Sequence, residues 1–140
     1  MFKTLHYYFY LQLKKNYFWN AINSKLQSMK ILHNPRCSKS RQGLSILQEA
    51  KVDIEIIEYL KNPLTKEEVK DVLKKLNISP IDLVRKNEAI WKEKFKNKTL
   101  SEEQIIQAMV DNPKLIERPI ILSGDKAVIG RPPENINSLL

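Results

Sequence analysis

From residue 29 onward the apolar positions change period several times, and each change marks an element. Ile31 and Leu32 lie in a short apolar stretch that predicts a first strand over 30–33. Leu44, Ile46, Leu47 and Ala50 then fall at helical spacing and predict a helix over 39–51. Residues 53–59 return to near-alternation, with Ile54, Ile56 and Ile57 apolar, and read as a second strand. Asn62-Pro63-Leu64-Thr65 breaks the chain, and Thr65 with Glu68 three residues on has the form of a capping box. The helix it opens puts Val69, Val72, Leu73 and Leu76 on one face and ends near Asn77. Ser79-Pro80 starts a short helix carrying Ile81, Leu83 and Val84. Ser101-Glu102-Glu103-Gln104 opens another that runs through Met109 and is stopped by Asp111-Asn112-Pro113. The end of the chain reads as a strand over 118–122, a turn at Ser123-Gly124-Asp125 and a hairpin partner over 126–129. Pro132-Pro133-Glu134 suits the first turn of a closing helix, where proline is tolerated.

The order is β-α-β, a block of helices, then β-β-α. Two strands joined by a right-handed crossover, followed by a hairpin and a packing helix, form the thioredoxin-like pattern. The expected fold is therefore α/β with a mixed sheet, and the helices at about 65–112 form an insertion beside it. No internal repeat or low-complexity stretch interrupts the pattern.

Composition narrows the class. A chain of 140 residues, 42% of them hydrophobic, suits one domain with a real core. One cysteine excludes a disulfide-stapled scaffold and points to a reducing compartment, so a cytoplasmic location is expected. Two distant histidines and one cysteine supply no structural zinc site. The net charge of +8 divides unevenly: residues 1–28 hold four lysines and no acid, leaving 20 cations against 16 acids, or +4, for residues 29–140. No nucleic-acid recognition motif accompanies that charge, and no nucleic-acid partner is expected. Residues 1–28 are crowded with aromatics, and their longest uncharged run, from Thr4 to Leu13, is ten residues. A membrane-spanning helix needs about 20. The preferred reading of 1–28 is an N-terminal extension, disordered or a start-site artefact, over a peripheral membrane contact. The domain proper is taken as 29–140.

The chemistry concentrates around the single cysteine, in His33-Asn34-Pro35-Arg36-Cys37-Ser38-Lys39-Ser40-Arg41. A thiol between a strand and a helix has its sulfur near the free N–H groups of the helix's first turn. Those groups stabilise a thiolate and also bind oxyanions. Arg36, Ser38 and Lys39 are not residues that an apolar core selects, so a reactive thiol is favoured over a buried small hydrophobe. An ordinary thiol is only ~3% ionised at neutral pH, so activation requires a lowered pKa. With no second cysteine, redox chemistry at Cys37 needs a sulfur from another molecule.

Together with Leu83-Val84-Arg85-Lys86-Asn87, Glu117-Arg118-Pro119-Ile120 and Gly130-Arg131-Pro132-Pro133-Glu134, this run resembles the glutaredoxin-coupled arsenate reductases of the bacterial ArsC type. The resemblance spans residues 29–140 and none of 1–28. It implies a thioredoxin-like fold with a helical insertion, and reduction of arsenate to arsenite with glutathione as thiol co-substrate and glutaredoxin as protein partner. No bound cofactor or metal is implied, and a monomer is expected. Cys37 corresponds to the family's nucleophile and His33 to the histidine that keeps it ionised. Arg85, Arg118 and Arg131 correspond to the arginines that hold the oxyanion. Ser40 and Arg41, in the helix's first turn, are further candidates: Ser40 either hydrogen-bonds the thiolate or caps the helix. Pro119 matches the cis-proline that faces the thiol in thioredoxin-like folds. Guanidinium forks suit a tetrahedral oxyanion, and the same charges depress a thiol pKa.

Two other readings use the same scaffold. One is a thiol oxidoreductase with a substrate other than arsenate. The other resembles redox-sensing regulators that bind RNA polymerase, which typically carry Cys-x-x-Cys. Here the fourth position is Ser40, so that internal switch cannot form.

Overall fold

β1 (Met29–Leu32) lies inside the sheet, and its side chains are divided between two cores. The computed structural model describes residues 28–140 together with Gln12, Lys14 and Lys15. The expectation of an extension over 1–28 otherwise falls outside the described residues. From β1 the chain enters α1 (Ser38–Glu49) and returns as β2 (Ile54–Ile57), parallel to β1 with Ile31 opposite Ile56. β3 (Ile120–Ser123) runs antiparallel on the other side of β1, with Ile31 opposite Ile121. β4 (Lys126–Ile129) completes the hairpin, giving the order β2-β1-β3-β4.

Period-two alternation sorts the strands' side chains. Met29, Ile31 and Ile121 face Leu47 of α1 and Ile136 of the closing segment. Leu32 and Ile120 face the opposite way, onto the helices between β2 and β3. Those helices are α2 (Lys66–Leu76), α3 (Ala89–Lys94) and α4 (Glu102–Asp111), with short 3-10 turns at Pro80–Leu83 and Pro113–Leu115. Val69, Leu83, Met109 and Leu115 are buried there, each worth about 1.5–3 kcal/mol of apolar burial. Both helices with caps legible in the sequence have them: Thr65 with Glu68, and Ser101 with Gln104, form complete capping boxes. Lys66 and Lys70 of α2 share Glu103 of α4, at 2.8 Å each, and hold that exposed carboxyl down to about 2.

The structure corrects several boundaries. β1 begins at Met29 and ends at Leu32, one residue earlier than expected. β2 is trimmed to four residues because the Glu58 carbonyl accepts from Lys61 and Asn62, starting a turn. It is an edge strand, so Ile56 is 47% exposed. β3 begins after Pro119, which has no N–H to give a ladder. The closing helix is 3-10 over Pro133–Leu139, and Asn135 spends its side-chain amide on the carbonyls of Ile129 and Arg131. α3 has no counterpart in the sequence reading. It is pinned by Trp91, buried and stacked obliquely on Phe95 with ring centroids 5.5 Å apart. No helix among the described residues is long and apolar enough to cross a membrane.

Candidate active site

The loop from β1 to α1 is built around Asn34, which is buried although polar. Its carbonyl accepts from Cys37 N (3.0 Å), its Oδ1 accepts from Arg36 N (3.0 Å), and its own N–H donates to Ser40 Oγ (3.0 Å). These three bonds fold residues 34–37 into a tight turn and put Cys37 at the N-cap of α1, in extended backbone. No side-chain cap bond closes at this N-cap, and the Ser40 and Lys39 N–H groups of the helix's first turn act on the sulfur. Burial pushes the Cys37 thiol up. The Ser40 N–H, the Arg118 guanidinium and the Lys39 N–H outweigh it, and the thiol lies below its ordinary range.

Two cations meet at this sulfur from the far end of the chain. Arg131 Nη2 donates to Cys37 Sγ at 3.5 Å, while its Nε donates to the Arg118 carbonyl at 2.7 Å. Glu117 Oε2 lies 3.6 Å from the same Nε and steadies the side chain. Arg118 lies against both Cys37 and the Tyr59 phenol. Burial opposes its charge, but the Tyr59 and Cys37 contacts raise its pKa overall. Those contacts are close enough to shift titration, yet Nε and Nη1 of Arg118 are buried without a hydrogen-bond partner among the described residues. A guanidinium with unmatched donors beside a thiolate is built to receive an anion. Both arginines precede cis prolines, Pro119 and Pro132. Pro119 matches the cis-proline implied by the resemblance; Pro132 carried no such expectation.

The other four candidates, His33, Ser40, Arg41 and Arg85, each have partners of their own. His33 is 5% exposed, and its Nδ1 lies 2.7 Å from Ser40 Oγ. Burial lowers its pKa against the pull of the Glu58 carboxylate, which favours the neutral form, and the ring braces the loop through Ser40. Ser40 gives its hydroxyl to that brace and offers the sulfur its backbone N–H. Arg41 donates Nη1 to the Pro35 carbonyl at 2.9 Å, clamping the loop from outside. Arg85 is turned to Glu88, with which it forms a tight ion pair, and to the Lys114 carbonyl. Its charge and that of Arg118 both act on the Tyr59 phenol.

Sequence reasoning missed Asn34 as the hub of the turn, and Tyr59. The first has a signal in Asn-Pro, which favours a turn; the second reads simply as an apolar strand residue. Among the described residues no group of three or more His, Cys, Asp or Glu is arranged to hold a metal. The site's donors are cations and N–H groups, which suit an anion.

A thiol at a helix N-terminus, with two guanidinium groups beside it and a cis X–Pro bond leading into β3, is the arrangement of a thioredoxin-like protein. Residues 32–139 match the model of the ArsC family, and the chain belongs to that family. It is 49% identical over 112 residues to the uncharacterized protein YfgD of Escherichia coli K12, covering 79% of this chain and 94% of that one. It is 41% identical over 117 residues to the arsenate reductase of Neisseria meningitidis, covering 82% of this chain and all of the relative. Among solved structures, the arsenate reductase from Vibrio cholerae superposes with a TM-score of 0.78 at 36% identity, over 81% of this chain and 98% of that one.

Proposed function

We propose that this chain is an arsenate reductase in which Cys37 is the nucleophile and Arg118 and Arg131 receive the oxyanion. Glutathione serves as second thiol and glutaredoxin as the protein that resets the enzyme. The observation that carries the reading is the convergence of two α1 N–H groups and two guanidinium groups on one sulfur. Similarity to relatives that carry the name arsenate reductase supports it.

The proposed reaction begins at the Cys37 sulfur. The Cys37 thiolate attacks arsenic, and one arsenate oxygen leaves as water with protons drawn from solvent. Arg118 and Arg131 spread over the charge of the remaining oxygens, as preorganised donors do in oxyanion catalysis. Glutathione then attacks, and the two sulfurs join as a disulfide. Their electron pair reduces arsenic(V) to arsenic(III), which departs as arsenite. Cys37 is left as a mixed disulfide, which glutaredoxin reduces by thiol exchange. Arg85, paired with Glu88, reaches the oxyanion only by exchanging that carboxylate for it. In this reading the chain works as a monomer in the reducing cytoplasm and carries no resident cofactor.

The test is a coupled assay with purified protein, arsenate, glutathione, glutaredoxin and nicotinamide-linked recycling. Arsenate-dependent turnover that disappears in Cys37→Ser is the expected result. Absence of such turnover with the thiol titratable overturns the arsenate assignment, and thiol-dependent turnover of another oxyanion moves it to that substrate.

A further inference from the structure

Tyr59 is the largest fully buried side chain among the described residues, and its hydroxyl lies at the Ile116 carbonyl, two residues before Arg118. The topology explains how it gets there. β1 and β2 are parallel, so the chain leaves both at the same end of the sheet: β1 into the Cys37 loop and β2 into Tyr59. The His33 N–H donates to the Ile57 carbonyl at 2.9 Å, tying the two exits together. A third segment arrives at the same place. Val84 bridges Ile116, Arg85 N donates to the Leu115 carbonyl at 2.7 Å, and Glu117 N donates to the Leu83 carbonyl at 2.9 Å. The Tyr59 hydroxyl reaches the Ile116 carbonyl at 3.4 Å, two residues before Arg118. The phenol thus stands where Arg85 and Arg118 both leave the backbone, with Cys37 beyond.

Packing alone would be served by phenylalanine. A hydroxyl at a fully buried position costs desolvation unless it is used. Its link to Ile116 is long, and the Arg118 guanidinium, whose Nε and Nη1 are buried without a hydrogen-bond partner among the described residues, acts on the phenol more strongly than Arg85 does. A neutral phenol oxygen has lone pairs to offer a cation while its proton is given to a carbonyl. We propose that Tyr59 is a positioning residue for Arg118: its hydroxyl, tethered to the Ile116 carbonyl, holds the guanidinium against the Cys37 sulfur. Thiolate formation and oxyanion capture then both depend on a group that touches neither reactant. Burial raises the Tyr59 pKa, which keeps the phenol neutral while it does so. The inference rests on the oxyanion reading of the site, but one of its readouts does not.

The experiment compares the full chain with Tyr59→Phe, Arg118→Ala and the double variant. Two quantities are read: the midpoint of thiolate absorbance against pH, and the arsenate concentration that half-protects Cys37 from iodoacetamide. Tyr59→Phe is expected to raise the thiolate midpoint and to raise the half-protecting concentration roughly 3- to 30-fold, the scale of one lost hydrogen bond to a charged group. In the Arg118→Ala background the same substitution should change neither. If Tyr59→Phe moves neither quantity in the Arg118 chain, or moves both equally in the Arg118→Ala chain, Tyr59 acts by packing and the inference is overturned. If arsenate fails to protect the unmodified chain, the oxyanion reading fails, and the thiolate midpoint alone still decides the coupling of Tyr59 to Arg118.

Discussion

Two glycines grip the proline next to Arg118, and filling either space should damage activity more than folding. Gly43 lies in α1 and Gly130 follows β4. A Cβ built on Gly43 would lie 2.9 Å from Pro119 Cγ and 3.1 Å from Ile136 Cδ1. On Gly130 it would lie 2.9 Å from the same Cγ and 3.2 Å from the same Cδ1. Carbon atoms pack at about 3.5–4.0 Å, so the ring must retreat by roughly 0.6–1 Å. Ile136 can turn its terminal methyl away, but a pyrrolidine ring has no rotamer to escape into. Its carbonyl is also held by Gly130 N at 2.8 Å. In Gly43→Ala two terms oppose. Helix propensity gains about 1 kcal/mol, and overpacking costs about 1–3 kcal/mol. The net expectation is a loss of about 1 kcal/mol, or a melting temperature lower by roughly 3–5 °C. Arg118 moves with Pro119, and a misplacement of about 1 Å at a reacting centre can cost about 100-fold. Calorimetry and kcat/KM for arsenate, measured on one preparation, check both numbers. Gly130→Ala lacks the helical gain and should melt lower. The double variant should fall short of additivity, because both methyls displace one ring. A Gly43→Ala variant that is more stable than the parent and fully active would refute the reasoning.

Other expectations follow from the same geometry. Arg118→Ala or Arg131→Ala should lower kcat/KM for arsenate by roughly 30- to 1000-fold, from about 2–4 kcal/mol of lost charge-assisted binding, with Arg→Lys recovering only part. Unchanged steady-state kinetics in both alanine variants would make these arginines structural. Because the Cys37 thiol is lowered in the fold, its contribution to stability is present above the ordinary thiol range and disappears as pH falls through the lowered value. The single-turnover rate should fall through that same window, and a rate that rises on acidification contradicts thiolate attack. Ser40→Ala leaves the Asn34 N–H and the His33 ring unmatched, at a cost of about 1–3 kcal/mol. Chemical denaturation should detect that loss, and an unchanged midpoint would remove the brace. Deleting residues 1–28 should leave melting and arsenate turnover intact, since every motif lies downstream; loss of the cooperative transition would contradict this.

The parts of this molecule that the sequence revealed are those set by local rules. Period-two and helical spacing located β1, α1 and the terminal hairpin, and the Thr65 and Ser101 caps are written in four-residue patterns. Cys37 was legible because a strand-to-helix turn and its charged neighbours lie within nine residues. Arg118 and Arg131 enter by resemblance alone, since Cys37 and Arg131 are 94 positions apart and no local rule joins them. What stayed hidden depends on where side chains turn after packing. His33 and Ser40 face one another because the Asn34 turn buries both, which no pattern of residue types announces. Arg85 pairs with Glu88 three residues on, a local possibility that the motif obscured. Tyr59 reads as strand and becomes part of the active centre only once β1 and β2 are parallel. α3 was missed because its six residues are too short to establish a period, and Trp91 fixes them through tertiary contact.

The most direct test of the central claim is the mass of the intact protein after arsenate and glutathione are added without glutaredoxin. Cys37 has no partner cysteine in the chain, so one turnover must leave a sulfur that the protein cannot resolve by itself. One arsenite released per chain and one glutathione attached at Cys37 are expected, with adduct and arsenite both missing in Cys37→Ser. Glutaredoxin should then discharge the adduct and restore turnover. Sustained arsenite production with no added thiol, or arsenite formed in equal amount by Cys37→Ser, would contradict the account.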